Sequence, residues 1–185
     1  MSYPSKLRRA PLISALALAL CAGAVGAAQA ADPMTRATGG KLASGDKTFI
    51  EKATIGGMTE VRMGELASEK AINPQVKEFG ARMVKDHTAA NADLVKVAAA
   101  KGVTVPGTID QSHQKDIDSL AKKSGADFDK AYVEAMVSDH KTDVADFEKQ
   151  AKSGKDADLQ AFAGKTLPTL KDHLKMIQGI NDSMK

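Results

Sequence analysis

Three Asp-His dipeptides, Asp86-His87, Asp139-His140 and Asp172-His173, hold three of the chain's four histidines. Imidazole is a ligand for zinc, copper, iron and manganese, and carboxylates either join it on the metal or fix its ring by hydrogen bonding. Each of the three histidines falls on the apolar stripe of a different amphipathic segment, and Glu60 is the polar member of a fourth such stripe. The expected chemistry is therefore one divalent transition metal held by Glu60, His87, His140 and His173. Adjacent residues on a helix point about 100° apart, so Asp86, Asp139 and Asp172 cannot serve their own neighbours. They are candidates to support a ring on another helix. The competing reading is that each histidine is a hydrogen-bonded polar tip at a core edge, and the sequence leaves both open.

The elements that must bring these residues together are helical. In the first, about 46–71, the stripe is Phe49, Ala53, Gly56, Glu60, Met63, Ala67 and Ala71, with the Asp46 carboxylate expected to cap its start. Asn73-Pro74 stops it and opens the second, about 73–101, with Val76, Phe79, Met83, His87, Ala90, Leu94 and Val97 inward and Gly102 closing it. The third long helix, about 127–152, turns Phe128, Tyr132, Met136, His140, Val144 and Phe147 inward. The fourth, about 156–183, turns in Leu159, Ala163, Thr166, Leu170, His173, Ile177 and Ile180, and Pro168 should kink it unless the freed carbonyl finds a donor. Residues 103–126 read as an extended stretch followed by a short helix, about 110–123, long enough together to cross from one end of the long helices to the other. Mid-helix positions share a level whichever way helices run, so the four candidate ligands converge in a bundle of either topology. The fold class is all-α: a four-helix bundle with a long crossover, carrying a short extra helix, between helices 2 and 3.

Short matches link Met83-Val84-Lys85-Asp86-His87 with Met136-Val137-Ser138-Asp139-His140, and Lys85-Asp86-His87 with Lys171-Asp172-His173, which suggests a duplicated helical hairpin. Gly56-Gly57 in mid-helix costs about 1 kcal/mol per residue relative to Ala. Close approach of a neighbouring helix is the favoured reason, and room for a ligand beside Glu60 is the other. Met63, Met83 and Met136 lie a turn from the candidate ligands and could offer soft donors, although methionine at helical spacing is ordinary core filler. His113, among Gln, Lys and Asp in the crossover, should be exposed.

Residues 1–30 read as a secretory signal peptide: Lys6, Arg8 and Arg9 precede an apolar run from Leu12 to Val25 and the small-residue cleavage pattern Ala28-Gln29-Ala30. Residues 31–44 form a flexible lead, and 45–185 a single domain. Removing the signal takes away the only cysteine, Cys21, and the three basic residues that make the 185-residue chain net positive. The remaining chain is neutral, so neither nucleic acid nor an anionic membrane is the expected partner. Without a disulfide, the domain depends on its core. Tryptophan is absent and aromatics make up 4% of the chain, which leaves Ala, Leu, Val, Ile and Met to fill that core. No Gly-rich phosphate loop or cysteine nucleophile is present. The expected location is the periplasm.

The motifs Asp46-x-x-Phe49, Gly56-Gly57-x-x-Glu60, Gly64-x-Leu66-Ala67, Met83-Val84-x-Asp86-His87, Phe128-Asp129-x-x-Tyr132, Met136-Val137-x-x-His140 and Leu167-Pro168-x-Leu170-x-x-His173 resemble the exported bacterial domain-of-unknown-function 4142 family. That family is grouped with ferritin-like bundles and is often labelled outer membrane protein; the resemblance spans about residues 45–180. It implies a ferritin-like four-helix bundle in the cell envelope and supplies no reaction. Val84 and Leu170 stand where a di-iron ferritin places the Glu of Glu-x-x-His, so a paired carboxylate iron centre is not expected. Nor does the sequence carry a transmembrane span or barrel strands. Three functions remain open: a metal-binding or stress-related bundle working through the Glu/His cluster, a non-catalytic module that docks on an envelope protein partner without metal, and a redox enzyme whose second metal has no evident ligands.

Overall fold

A computed structural model describes residues 42–185; the signal peptide and nearly all of the expected lead lie outside the described residues. Among the described residues, five helices follow one another: α1 (Ser44–Lys70), α2 (Pro74–Ala100), α3 (Gln111–Ala121), α4 (Gly125–Ser153) and α5 (Ala157–Ser183). The expected all-α architecture is what forms, with α1, α2, α4 and α5 as the long helices and α3 on the crossover.

Most boundaries have local causes. The Asn73 side chain accepts a hydrogen bond from the Gln75 amide at 2.9 Å, ahead of Pro74. Asp110 caps α3 through the His113 amide at 3.0 Å, and Asp156 caps α5 through the amides of Asp158 and Leu159. Gly102 ends α2 with φ +69°, a backbone state that other residues adopt only at a cost. Helix α5 continues through Pro168. The carbonyl that loses its donor there belongs to Gly164, which is exposed and so open to water.

Asp46 departs from the expectation. It lies inside α1, whose N-cap, Ala43, has no side-chain hydrogen bond. The Asp46 carboxylate instead crosses to the other hairpin, accepting from the Gln150 side chain at 2.8 Å and the Lys155 amide at 3.1 Å. Asp129, on α4, does the converse: it accepts from the amides of Ile72 and Asn73 at 3.2 and 2.7 Å. Each hairpin thus clamps the turn of the other, with the carboxylate taking up amides that a tight turn leaves without partners.

The helices pair as α1 with α2 and α4 with α5, and the two hairpins meet through α1/α4 and α2/α5. Gly64 and Gly80 let α1 and α2 come together closely: a Cβ on Gly64 would sit 2.8 Å from the Gly80 carbonyl oxygen, and one on Gly80 would sit 2.7 Å from Ala67 Cβ. Two apolar clusters form. One is built around Met63, Phe79, Met83, Phe128, Tyr132, Met136 and Ile177, and the other around Phe49, Ile50, Leu94, Phe147, Leu159, Phe162 and Leu170. The crossover links them, since Val103 and Val105 pack on the second while Ile117 and Leu120 belong to the first. Between the clusters lies a layer of buried polar side chains. No helix among the described residues is long and apolar enough to cross a membrane.

Candidate metal centre

Each long helix delivers one side chain to that polar layer: Glu60 from α1, His87 from α2, His140 from α4 and His173 from α5. Glu60 and His87 are 3% and 5% exposed, and the other two are fully covered. One ring nitrogen from each histidine lies within 4.8 Å of one from each of the others. Phe79 sets its ring edge-on beneath His140 and His173, at centroid distances of 6.1 and 6.2 Å.

Hydrogen bonding fixes which nitrogens are available. His140 Nδ1 faces the Met136 carbonyl oxygen at 3.1 Å. That oxygen can only accept, so Nδ1 carries the proton and Nε2 a lone pair. His173 Nε2 lies 2.9 Å from the Asp86 carboxylate, which puts the proton on Nε2 and leaves Nδ1 bare. Asp86 is held ionised: burial works against it, but the His173 ring and the Arg82 guanidinium, 3.2 Å away, outweigh that and lower its pKa. His87 Nδ1 pairs with Glu60 Oε2 at 2.8 Å, leaving a buried Nε2 without a partner.

The bare His140 Nε2 and His173 Nδ1 face each other at 3.4 Å. Two lone pairs at that distance repel unless a cation lies between them. Two imidazole nitrogens bound at about 2.0 Å to one metal, at trigonal or tetrahedral angles, stand about 3.3–3.5 Å apart. The donor set and its spacing therefore fit a metal ion.

Electrostatics agree with neutral rings. Burial, with the neighbouring imidazoles, draws the His140 pKa down to about 3; burial draws that of His173 to about 4 despite Asp86; and burial lowers that of His87 against the pull of Asp143 and Asp86. Glu60 moves up to about 8, because burial outweighs its hydrogen bond with Asp143. Asp143 rises well above the usual carboxylate range through burial and the adjacent Glu60. Burial thus favours the protonated form of both carboxyl groups.

All four sequence-derived candidates meet in this layer, with Glu60 behind the His87 ring rather than among the free nitrogens. Of the three aspartates, Asp86 supports a ring on another helix, His173. Asp139 stands half-buried on the α1/α4 side, and Asp172 is exposed on α5. Met63, Met83 and Met136 belong to the apolar cluster. His113 is part-exposed and held by Asp110 at 2.8 Å. A Cβ on Gly57 would collide with the side-chain amide of Asn91, whereas a Cβ on Gly56 would meet nothing within 4 Å; the close approach of helix backbones falls instead at Gly64 and Gly80.

The sequence reading missed Asp143. Its signal is the hairpin duplication: Asp46 and Asp129, Phe49 and Tyr132, and Glu60 and Asp143 are each 83 positions apart. The two turn clamps thus mark the register in which Asp143 is the counterpart of Glu60. The shorter matches around the histidines pair α2 with α4 and hide this register.

No curated protein matches the sequence. Among solved structures, a DUF305 fragment from Deinococcus radiodurans superposes with a TM-score of 0.67 at 9% identity, covering 78% of this chain and 99% of that one. CopM in the Cu(II)-bound form gives 0.65 at 18% identity, over 76% of this chain and 97% of CopM. CopM in the Cu(I)-bound form gives 0.63 at 16%, over 75% and 96%. At these identities the likeness establishes a shared helical-bundle fold. The profile described as "Domain of unknown function (DUF4142)" matches residues 31–180, and the chain belongs to that family.

Proposed function

We propose that this protein is an exported copper-binding bundle of the cell envelope, which holds one copper ion through His87, His140 and His173. The observation that carries this reading is the pair of bare ring nitrogens, His140 Nε2 and His173 Nδ1, facing each other at 3.4 Å in a buried layer. Their proton positions are set by Met136 and Asp86, so the arrangement is preorganised for a cation. Imidazole suits copper in either oxidation state, and a three-nitrogen set meets the low coordination number that Cu(I) accepts. Asp86, held ionised, supplies negative charge close to the rings. The copper-bound forms of CopM, a protein of similar fold, support the choice of metal. The residue 1–30 pattern supports export.

When bound, copper would sit among four helices and beside Phe79, on histidines that are at most 5% exposed. That is the chemistry of sequestration: a redox-active ion kept from solvent. The test is copper stoichiometry by equilibrium dialysis, aerobically with Cu(II) and anaerobically with Cu(I) against a chromophoric chelator. Wild type should retain one equivalent. The His140→Ala, His173→Ala double variant, verified as helical by circular dichroism, should retain none. Equal retention by both would refute the reading.

A further inference from the structure

Two clefts run from the surface towards the buried histidines. One, about 490 Å³, lies between α1 and α4 and ends on Glu60 and Asp143. The other, about 220 Å³, lies between α2 and α5 and touches His87 and His173 directly. Their chemistry differs. The α1/α4 cleft carries Glu51, Asp139, Asp143 and Glu60 along its length; Lys52 on its wall is tied to Asp146 at 3.6 Å. The α2/α5 cleft has Lys165 at its rim, bound to Asp93 at 2.9 Å, and its Asp86 is engaged by both Arg82 and His173. A hydrated cation is drawn to the first and finds fewer available donors in the second.

Two further observations single out the α1/α4 cleft. Glu60, 3% exposed at its inner end, has an oxygen, Oε1, that makes only a long contact of 3.4 Å with His140 Nδ1, whose proton is already given to the Met136 carbonyl. The step from there to the histidines is short: a void of about 20 Å³, room for one water, is bordered by Glu60, Asp143 and His87 and adjoins both clefts. Gly56 lines the cleft wall. In mid-helix it costs about 1 kcal/mol relative to Ala, yet a Cβ there would touch nothing, so helix packing does not account for it. A larger side chain would project into open space beside the cleft.

We propose that copper reaches the three histidines through the α1/α4 cleft, held in transit by the oxygens of Asp143 and Glu60, with Gly56 keeping the passage open. The inference rests on the copper-binding reading. The ion exchanges water for carboxylate oxygen at the floor and carboxylate oxygen for imidazole nitrogen beyond it, with no change in oxidation state.

Stopped-flow mixing of the purified metal-free chain with Cu(II), followed by quenching of tyrosine fluorescence, measures the passage. A path residue alters association and dissociation by the same factor and leaves the equilibrium untouched. Gly56→Leu should slow both rates about tenfold with Kd unchanged. Asp139→Asn should lower the association rate and flatten its dependence on ionic strength. Thr169→Leu, in the α2/α5 cleft, should match wild type. Wild-type rates in Gly56→Leu, a weakened Kd without slower association, or slowing confined to Thr169→Leu would each overturn the route while leaving the copper site standing. Absence of copper binding in the wild type would remove both.

Discussion

Asp86 is the residue on which the preorganisation of the site turns. By accepting from His173 Nε2 it turns the bare Nδ1 towards His140. Asp86→Asn removes the charge and permits the other tautomer, so copper affinity should fall about 10–100-fold, read by chelator competition, with helicity unchanged. The buried rings also set a pH response in the metal-free protein. With pKa values of about 3 and 4 in the fold against 6.5 ordinarily, His140 and His173 take up fewer protons folded than unfolded. Their contribution to stability is intact above pH 6.5 and is lost as pH falls towards 3. Glu60 acts in the opposite sense: moved from 4.5 to about 8, it contributes stability below pH 4.5 that is lost as pH rises through 8. The metal-free melting temperature should therefore drop between pH 6.5 and 4, and the drop should shrink in a His140→Gln, His173→Gln variant. A profile identical in the two would contradict buried neutral rings. The histidines and Glu60 were legible in the sequence because each is the polar break in an apolar stripe. Asp143 was not, because on α4 it lies one turn from His140, which already fills the polar place in that stripe.

At the scale of elements, the helices and the crossover could be read from caps and breakers: Asn73-Pro74, Gly102, Asp110 and Asp156 each act locally, and local chemistry is what a sequence displays. The reciprocal clamps could not. Asp46 looks like an N-cap, and only the fold places it against Lys155, more than a hundred positions away. Asp129→Ala would leave the amides of Ile72 and Asn73 without their acceptor, and should cost about 1–3 kcal/mol in chemical denaturation. A cost near zero would mean the turn holds itself. The α1/α2 contact makes a second demand. Gly80→Ala would drive a methyl into Ala67 and the Gly64 carbonyl, and should destabilise by about 1–3 kcal/mol, whereas Gly56→Ala, facing open space, should be neutral or stabilising. That contrast separates two neighbouring problems the sequence presents alike: glycine in mid-helix as a packing requirement, and glycine as empty space.

For the whole molecule, the polar layer between two apolar clusters is a cost that the fold carries without metal: uncompensated nitrogens at His87, His140 and His173, and a Glu60 oxygen left with only a 3.4 Å contact to His140 Nδ1. Burial of apolar side chains on both sides holds the layer together. Copper, bound only by the folded state, should return stability by linkage, about 2.7 kcal/mol at a free concentration one hundred times Kd, seen as a rise in melting temperature that the His140→Ala, His173→Ala variant lacks. X-ray absorption at the copper edge reads the ligands directly. The copper-loaded protein should show a shell of three nitrogens at about 2.0 Å with the outer scattering of imidazole rings and no sulfur. A shell containing methionine sulfur, or one of oxygen alone, would contradict the three-histidine site.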